Sequence, residues 1–367
     1  MSDLNIKDFL TCGAFLQIGP DLFKIMVGPF TRHSLGEIGH LNDSTLLYSP
    51  NFWDFLDTAS GTPQKPVYSS AKSYTFDREE FIYLLSKIEA KRPDITWQVP
   101  NETQFRTQFD WSQQNFIEQK LSKTVPIIRQ HGEVLFLSEN LLWCMQNLLQ
   151  NKNFGWSYGF FDNSSGMIGH TPEVLAQWTK TDRQLHTVAL AGTYTKADEA
   201  YEKILHDKKI QNEHQIVIDD IVDKLSALNF KSKAIQGETD VLELRYLLHL
   251  MTEFQIEIDS VEQAFEVINI LHPTSAMGLY PYDAAKLKEF SQFSLQKERM
   301  SFAAPFAIVE KDAVYCVVAI RNMTFAKDKV QVFSGCGVTP ESKYELELTE
   351  SQNKRDSVKK MLGLNLD

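Results

Sequence analysis

The clearest chemical signal in the chain is a carboxylate standing where an apolar side chain belongs. Glu213, Val217, Ile221 and Leu225 recur at every fourth position, so on a helix all four share one face. An ionised carboxylate buried without a partner is strongly unfavourable. The stripe must therefore end in solvent, carry a buried ion pair, or hold a cation. Glu347, Glu350 and Lys354 follow at i, i+3 and i+7 and lead into Val358 and Met361, placing two carboxylates and an ammonium at one end of an apolar seam. Alone, that pattern also describes the solvated end of an amphipathic helix. Together with Glu213 it suits a hard, oxygen-seeking cation such as Mg²⁺, held by a few carboxylates and its own waters. An anionic ligand would complete such a shell.

Three further residues could do chemistry. Arg321 lies in VVAIR, where both faces of the expected strand are apolar, so its guanidinium calls for an anionic partner, structural or substrate. Lys123 opens the apolar segment KTVPII; burial there would lower its pKa toward the range of a general base, whereas a strand-end lysine facing solvent would stay charged. His272, in LHPTSAMG, is a candidate catalytic group or a hydrogen-bonded loop histidine.

These residues need a scaffold. Short aromatic-rich strands are expected in residues 1–100, among them FKIMVGPF and STLLYSP. Apolar spacings of three and four predict helices over 77–91 and 112–123, from Ser138 to about Gln150, and over roughly 198–228, with short helices in the 240s, 260s and 280s. Strands are expected near 154–162, 172–178 and 184–190. AVYCVVAIRNMTF and KVQVFSGCGV read as a hairpin around AKDK, and the spacing of Ser342 and Glu345 predicts a capping box opening a last helix to about Leu362. Strands and helices without a regular βαβ rhythm indicate a mixed α+β fold.

Bulk properties narrow the function classes. The chain has 367 residues, 43% of them hydrophobic, and a net charge of −11. It can bury a large core, and its acidity argues against nucleic acid, whose phosphates need a basic surface. An anionic substrate would need local cations. The four cysteines are widely spaced, without a CxxC pair, which fits free thiols in a reducing compartment. The opening MSDLNIKDFL lacks a signal-peptide pattern and no apolar run is long enough to cross a bilayer, so a cytoplasmic, non-membrane protein is expected. There is no GxGxxG after a strand, no GxxxxGK[ST], no HExxH and no GxSxG.

Read together, LSKTVP, GHTPEVLA, ALAGT, NEHQIVIDDIVDKL, LHPTSAMG, VVAIRNMTF and GCGVTPES with ELELTESQNK resemble the chorismate-utilising enzymes, in the family's order and spacing over about residues 118–362. The resemblance is nearest to isochorismate synthases. It implies two large, mainly antiparallel sheets packed as a sandwich with helices outside. Residues 1–105 would complete the sandwich, 106–367 would form the chorismate-binding catalytic region, and the whole would be one structural unit. It implies Glu213, Glu347 and Glu350 at Mg²⁺, with chorismate as substrate. Arg321 and Lys354, helped by backbone N–H groups around Gly335 to Gly337, would bind carboxylates, with Gly192 and Thr193 in the same substrate site. Glu173, in TPE, would be the general acid on the departing 4-hydroxyl, and Lys123 the base that activates water for attack at C2; His272 is the third catalytic candidate.

Within the family, Ala191 stands where aminodeoxychorismate synthases carry a nucleophilic lysine, and Lys123 stands where anthranilate synthases carry Gln. The resemblance thus implies an isomerase making isochorismate. Salicylate synthase, an aminating subunit with a glutamine amidotransferase partner, and a non-catalytic chorismate-binding subunit are the alternatives. The downstream route, menaquinone, siderophore or other, stays open. The chain departs from the family pattern at His170, Thr171, Tyr194, Thr195, Lys196, Ser275, Leu279, Ala304 and Ala307, which bears on the product more than on the ligand class.

Overall fold

Two nine-stranded sheets, antiparallel at every pairing, organise the chain. The structure is a computed structural model and describes residues 4–40, 44–56, 65–151, 154–162, 164–196, 200–244 and 247–366. The first sheet runs Lys72–Asp77, Leu22–Val27, Gly13–Gly19, Trp156–Phe161, Ser165–Thr171, Asn322–Ala326, Lys329–Gly335, Ile127–Glu133 and Thr96–Trp97. The second runs Ile235–Glu243, Leu247–Glu257, Gln184–Thr195, Val174–Thr179, Ala313–Val318, Pro305–Glu310, Leu46–Tyr48, Pro66–Ser69 and Thr31–Ser34. Residues before 105 thus supply outer strands to both sheets. The inner faces meet through Leu16, Met26, Tyr158, Phe306, Ile308 and Val317. The outer face of the first sheet buries its apolar side chains under helices Ile6–Thr11, Arg78–Leu85, Ser138–Leu149 and Tyr344–Met361. Helices Lys208–Ser226 and Val261–Leu271 cover the second. This is the expected α+β sandwich.

The strands that pass from one sheet to the other position the site. Ser165–Thr171 pairs with Asn322–Ala326 in the first sheet, and Val174–Thr179 pairs with Ala313–Val318 in the second. Both segments therefore change sheets side by side, at residues 172–173 and 319–321. The two crossings are bonded to each other by Val318 N–H donating to Glu173 O (3.0 Å) and His170 N–H to Arg321 O (3.2 Å). Arg321 adopts φ +54°, a left-handed conformation that costs a side-chain-bearing residue about 1–3 kcal/mol and tends to persist at functional sites.

Several local expectations change. VVAIRNMTF is not one strand: it breaks after Val318, and only its second half forms the hairpin with Lys329–Gly335. The helix expected over 198–228 is two, Ala200–His206 and Lys208–Ser226, because Asp207 caps the second by accepting from Ile210 N–H (3.2 Å). The helix expected at 112–123 runs from Glu102 to Ile117, capped by Asn101. The apolar run in the 240s is strand, since a short buried strand and a buried helix share that composition. The capping box does not form; Ser342 Oγ accepts instead from Thr339 N–H (3.1 Å), and the last helix starts at Tyr344.

Candidate active site

A cleft between the sheet crossings, the long helix and the C-terminal helix brings together Lys123, Glu173, Gly192, Thr193, Glu213, Arg321, Gly335, Gly337 and Lys354. It encloses about 700 Å³ of space, open solvent at its mouth included. They reach it from several different elements. Lys123 comes from the two-residue strand Lys123–Thr124, which is fixed by pairing with Leu279–Tyr280. Glu213 comes from the apolar face of Lys208–Ser226, whose Val217, Ile221 and Leu225 are buried as the stripe requires. Glu173 and Arg321 come from the crossings.

The cleft has two electrostatic characters. On the helical side only Glu213 of the three expected metal residues lines the cleft, with Glu347 and Glu350 close enough to act on it, and each of the three has a lysine. Glu213 Oε1 lies 3.4 Å from Lys123 Nζ, Glu347 Oε1 2.7 Å from Lys209 Nζ, and Glu350 Oε1 2.6 Å from Lys354 Nζ. Lys123 is 1% exposed and its Nζ faces the Glu213 carboxyl; the solvent-facing alternative is ruled out. Gly337 permits that pair, because a Cβ there would collide with Glu213 Oε1 and come within 2.7 Å of Lys123 Cε. The Glu213 carboxyl is pushed above its ordinary range by burial; Lys123 pulls it down, and Glu350 and Glu347 push it further up. The three carboxylates are therefore close enough to repel one another.

On the crossing side the charges lack partners. Glu173 is 2% exposed, and its Oε2 has no hydrogen-bond partner. Burial lifts its carboxyl to about 8, against the opposing pull of Lys123, Lys354 and Arg321, so at neutral pH it carries a proton. Burial lowers the Arg321 guanidinium to about 10, with Glu350 and Glu173 acting against that. Among the described residues no carboxylate lies within ion-pair distance of it. Its Nη1 donates to Ser357 Oγ (3.1 Å), and its Nη2 faces His249 Nε2 at 3.4 Å.

His249 is a site residue that the sequence does not single out, because the run LLHLMTEF reads as helix on composition. In the strand Leu247–Glu257 it lines the cleft, with Nδ1 3.2 Å from Thr193 Oγ1. Burial, then Arg321 and Lys354, hold it neutral, well below the ordinary histidine range. Gly192 forms the bulge beside Thr193 with φ +76°, where a Cβ would lie 2.6 Å from Ile210 Cγ2. Lys209, the partner of Glu347, is likewise absent from the expected set.

Two assignments change with the geometry. His272 is not part of the cleft lining. Its Nε2 contacts Phe52 O (3.1 Å), its ring packs on Phe52 and Phe55, and burial first of all drops its pKa to about 3. It is a neutral core histidine that fixes the HPTSAMG loop. The backbone around Gly335 to Gly337 offers fewer donors than expected, since Cys336 N–H is donated to Pro126 O (3.4 Å) while Gly335 O accepts from Lys354 Nζ (2.9 Å).

The donor set fits Mg²⁺ in one particular way. Among the described residues no three His, Cys, Asp or Glu side chains close into a ready-made metal centre. Mg²⁺ does not need one: it binds through one or two carboxylates, its waters and ligand oxygens. Carboxylates that repel Glu213 and are each balanced by a lysine fit that use.

The sequence profile of the family described as "Chorismate binding enzyme" matches residues 72–363. The chain belongs to the chorismate binding enzymes. Among curated members of that family, it is 26% identical to the isochorismate synthase MenF of Escherichia coli over 220 residues, 58% of this chain and 49% of that protein. It is 24% identical to the vibriobactin-specific isochorismate synthase of Vibrio cholerae over 234 residues, 61% of this chain and 58% of that protein. The matches thus span about half the length of these relatives. The solved structure of Escherichia coli MenF superposes with a TM-score of 0.77 over 98% of this chain and 92% of that one, at 18% identity, so the fold is shared. This family member has no helix, among the described residues, long and apolar enough to cross a membrane.

The family departures sit at identifiable places. Ser275 N–H donates to Asp220 Oδ2 (2.7 Å), tying the HPTSAMG loop to the long helix. Leu279 is buried in the short strand opposite Thr124, and Ala304 and Ala307 are fully buried. His170 bridges Ser157 Oγ and Phe154 O, Thr171 Oγ1 accepts from Glu173 N–H (3.2 Å), and Lys196 pairs with Glu243 at the surface.

Proposed function

We propose that the chain is an isochorismate synthase that uses Mg²⁺. One observation carries this: a buried, protonated Glu173 and a buried Lys123 line the same cleft, with Ala191 in place of an amine nucleophile. In the proposed reaction, Lys123 in its amine form takes a proton from water as the water oxygen bonds to C2 of chorismate. Both ring double bonds shift by one position, the C4–O bond breaks, and the 4-hydroxyl leaves as water with the proton of Glu173. One water is consumed and one released, so substrate and product are isomers. Arg321 and Lys354 bind carboxylate, and His249 holds the Arg321 guanidinium in place. Glu213, Glu347 and Glu350 are the residues that would hold Mg²⁺, which when bound supplies fixed positive charge for the ring carboxylate.

The test is to incubate the protein with chorismate and Mg²⁺, with and without ammonia, and separate the products with mass detection. An isobaric product that does not depend on ammonia is expected. Salicylate with pyruvate would move the chain to the neighbouring branch. An aminated product formed only with ammonia would mean an aminating subunit with an amidotransferase partner. Binding without turnover would mean a non-catalytic subunit.

A further inference from the structure

Beside the catalytic cleft lies a second, larger pocket of about 1150 Å³, and the two share Arg321 and Pro172. Its walls come from the end of the helix Ser138–Leu149, the start of the strand Leu247–Glu257 and the C-terminal helix. Leu247, Val358 and Met361 give it an apolar side, Asn147 and Gln150 an uncharged polar one, and Lys360 a second cation besides Arg321. Among the described residues no carboxylate lines it.

That absence matters in a chain of net charge −11. Chorismate is a dianion, and the helical side of the cleft presents Glu213, with Glu347 and Glu350 close by. An approach from that side passes carboxylates already engaged with lysines, whereas an approach through the second pocket passes no carboxylate in its lining and ends at a guanidinium. Arg321 is built into the partition between the chambers. Its Nη1 is held by Ser357, which lines the outer pocket, and its Nη2 faces His249, which lines the cleft. Pro172, the other shared residue, precedes the acid Glu173.

We propose that the outer pocket is an anion-accepting vestibule through which the cyclic dicarboxylate reaches the cleft, with Arg321 serving both chambers. The inference rests on the reading that chorismate is the substrate. The apolar wall accommodates the ring, the amides replace the water of the carboxylates, and Arg321 draws the ligand inward without another cation having to move.

Gln150 is exposed and takes no part in the reaction chemistry, so its charge can be changed without touching the core. A unit charge about 10 Å from a dianion in water changes its local concentration about fourfold. Gln150→Glu is therefore expected to lower kcat/KM for chorismate about threefold to fivefold at low ionic strength, and Gln150→Lys to raise it by a similar factor. Both effects should collapse at high salt, with kcat unchanged. The association rate constant for chorismate, followed by stopped-flow tryptophan fluorescence, gives the same ordering independently of turnover. An active wild type whose two Gln150 variants match it at every ionic strength overturns the vestibule alone. A wild type that binds chorismate without turning it over overturns the proposed reaction, and the association rates of the two variants still decide the vestibule.

Discussion

The two walls of the cleft treat charge in opposite ways. On the helical wall Glu213, Glu347 and Glu350 each face a lysine. On the wall made by the sheet crossings, Glu173 is buried and Arg321 half-buried, both without an ion-pair partner among the described residues. Unpaired buried charge is costly, so the structure keeps Glu173 as a neutral acid and leaves Arg321 waiting for an anion. The helical wall can exchange its lysine contacts for a cation and a substrate oxygen; the crossing wall has nothing to exchange. In the proposed reaction the acid and the anion-capturing guanidinium belong to the crossings, and the base and the residues that would hold Mg²⁺ to the helical wall.

The contrast breaks most visibly at the proton-transfer pair. Glu173→Gln keeps the shape and neutrality of the acid but removes its proton, so kcat should fall about 10²–10⁴-fold while the melting temperature holds. Lys123→Gln should lose a similar factor and leave Mg²⁺-dependent chorismate binding in place; full activity in this variant would remove the base role. On the helical wall, Glu213→Ala should weaken Mg²⁺ and chorismate binding together. Titration calorimetry should show at least the roughly 10–100-fold that loss of a supporting residue costs a metal site, and unchanged metal dependence would sink the assignment.

The pH profile sharpens the contrast further. The Glu173 carboxyl is raised to about 8 by burial, so the acid is present below that value and lost above it. Activity should fall about tenfold per pH unit on the alkaline side, a limb that Glu173→Gln abolishes. The smallest effect on activity is expected at His272. Its ring packs on Phe52 and Phe55 and bonds Phe52 O, so His272→Ala should cost about 1–3 kcal/mol of stability in denaturant unfolding and leave kcat/KM near wild type.

Much of the helical wall is legible in the sequence, because a carboxylate on a 3.6-residue apolar stripe stands out against its neighbours. Glu213, Glu350 and Lys354 announce themselves that way. The crossing wall is legible only in part. Nothing local marks where VVAIRNMTF leaves one sheet for the other, since that break depends on which distant strands pair with each half. Arg321 therefore reads as a strand residue, although its burial already signals the need for an anion. His249 stays hidden because LLHLMTEF has no periodicity that separates a buried strand from a buried helix. His272 misleads in the other direction: a histidine in a family-like loop reads as chemistry until Phe52, more than two hundred residues away, is seen to take its hydrogen bond.

The most direct test of the division of labour is to run the chorismate reaction in water enriched with heavy oxygen and weigh the product. Water delivered to C2 through Lys123, with the 4-hydroxyl expelled through Glu173, predicts an isochorismate carrying one heavy oxygen. An unlabelled isomer would mean that the original hydroxyl migrates within the ring, and would contradict both the base role of Lys123 and the acid role of Glu173.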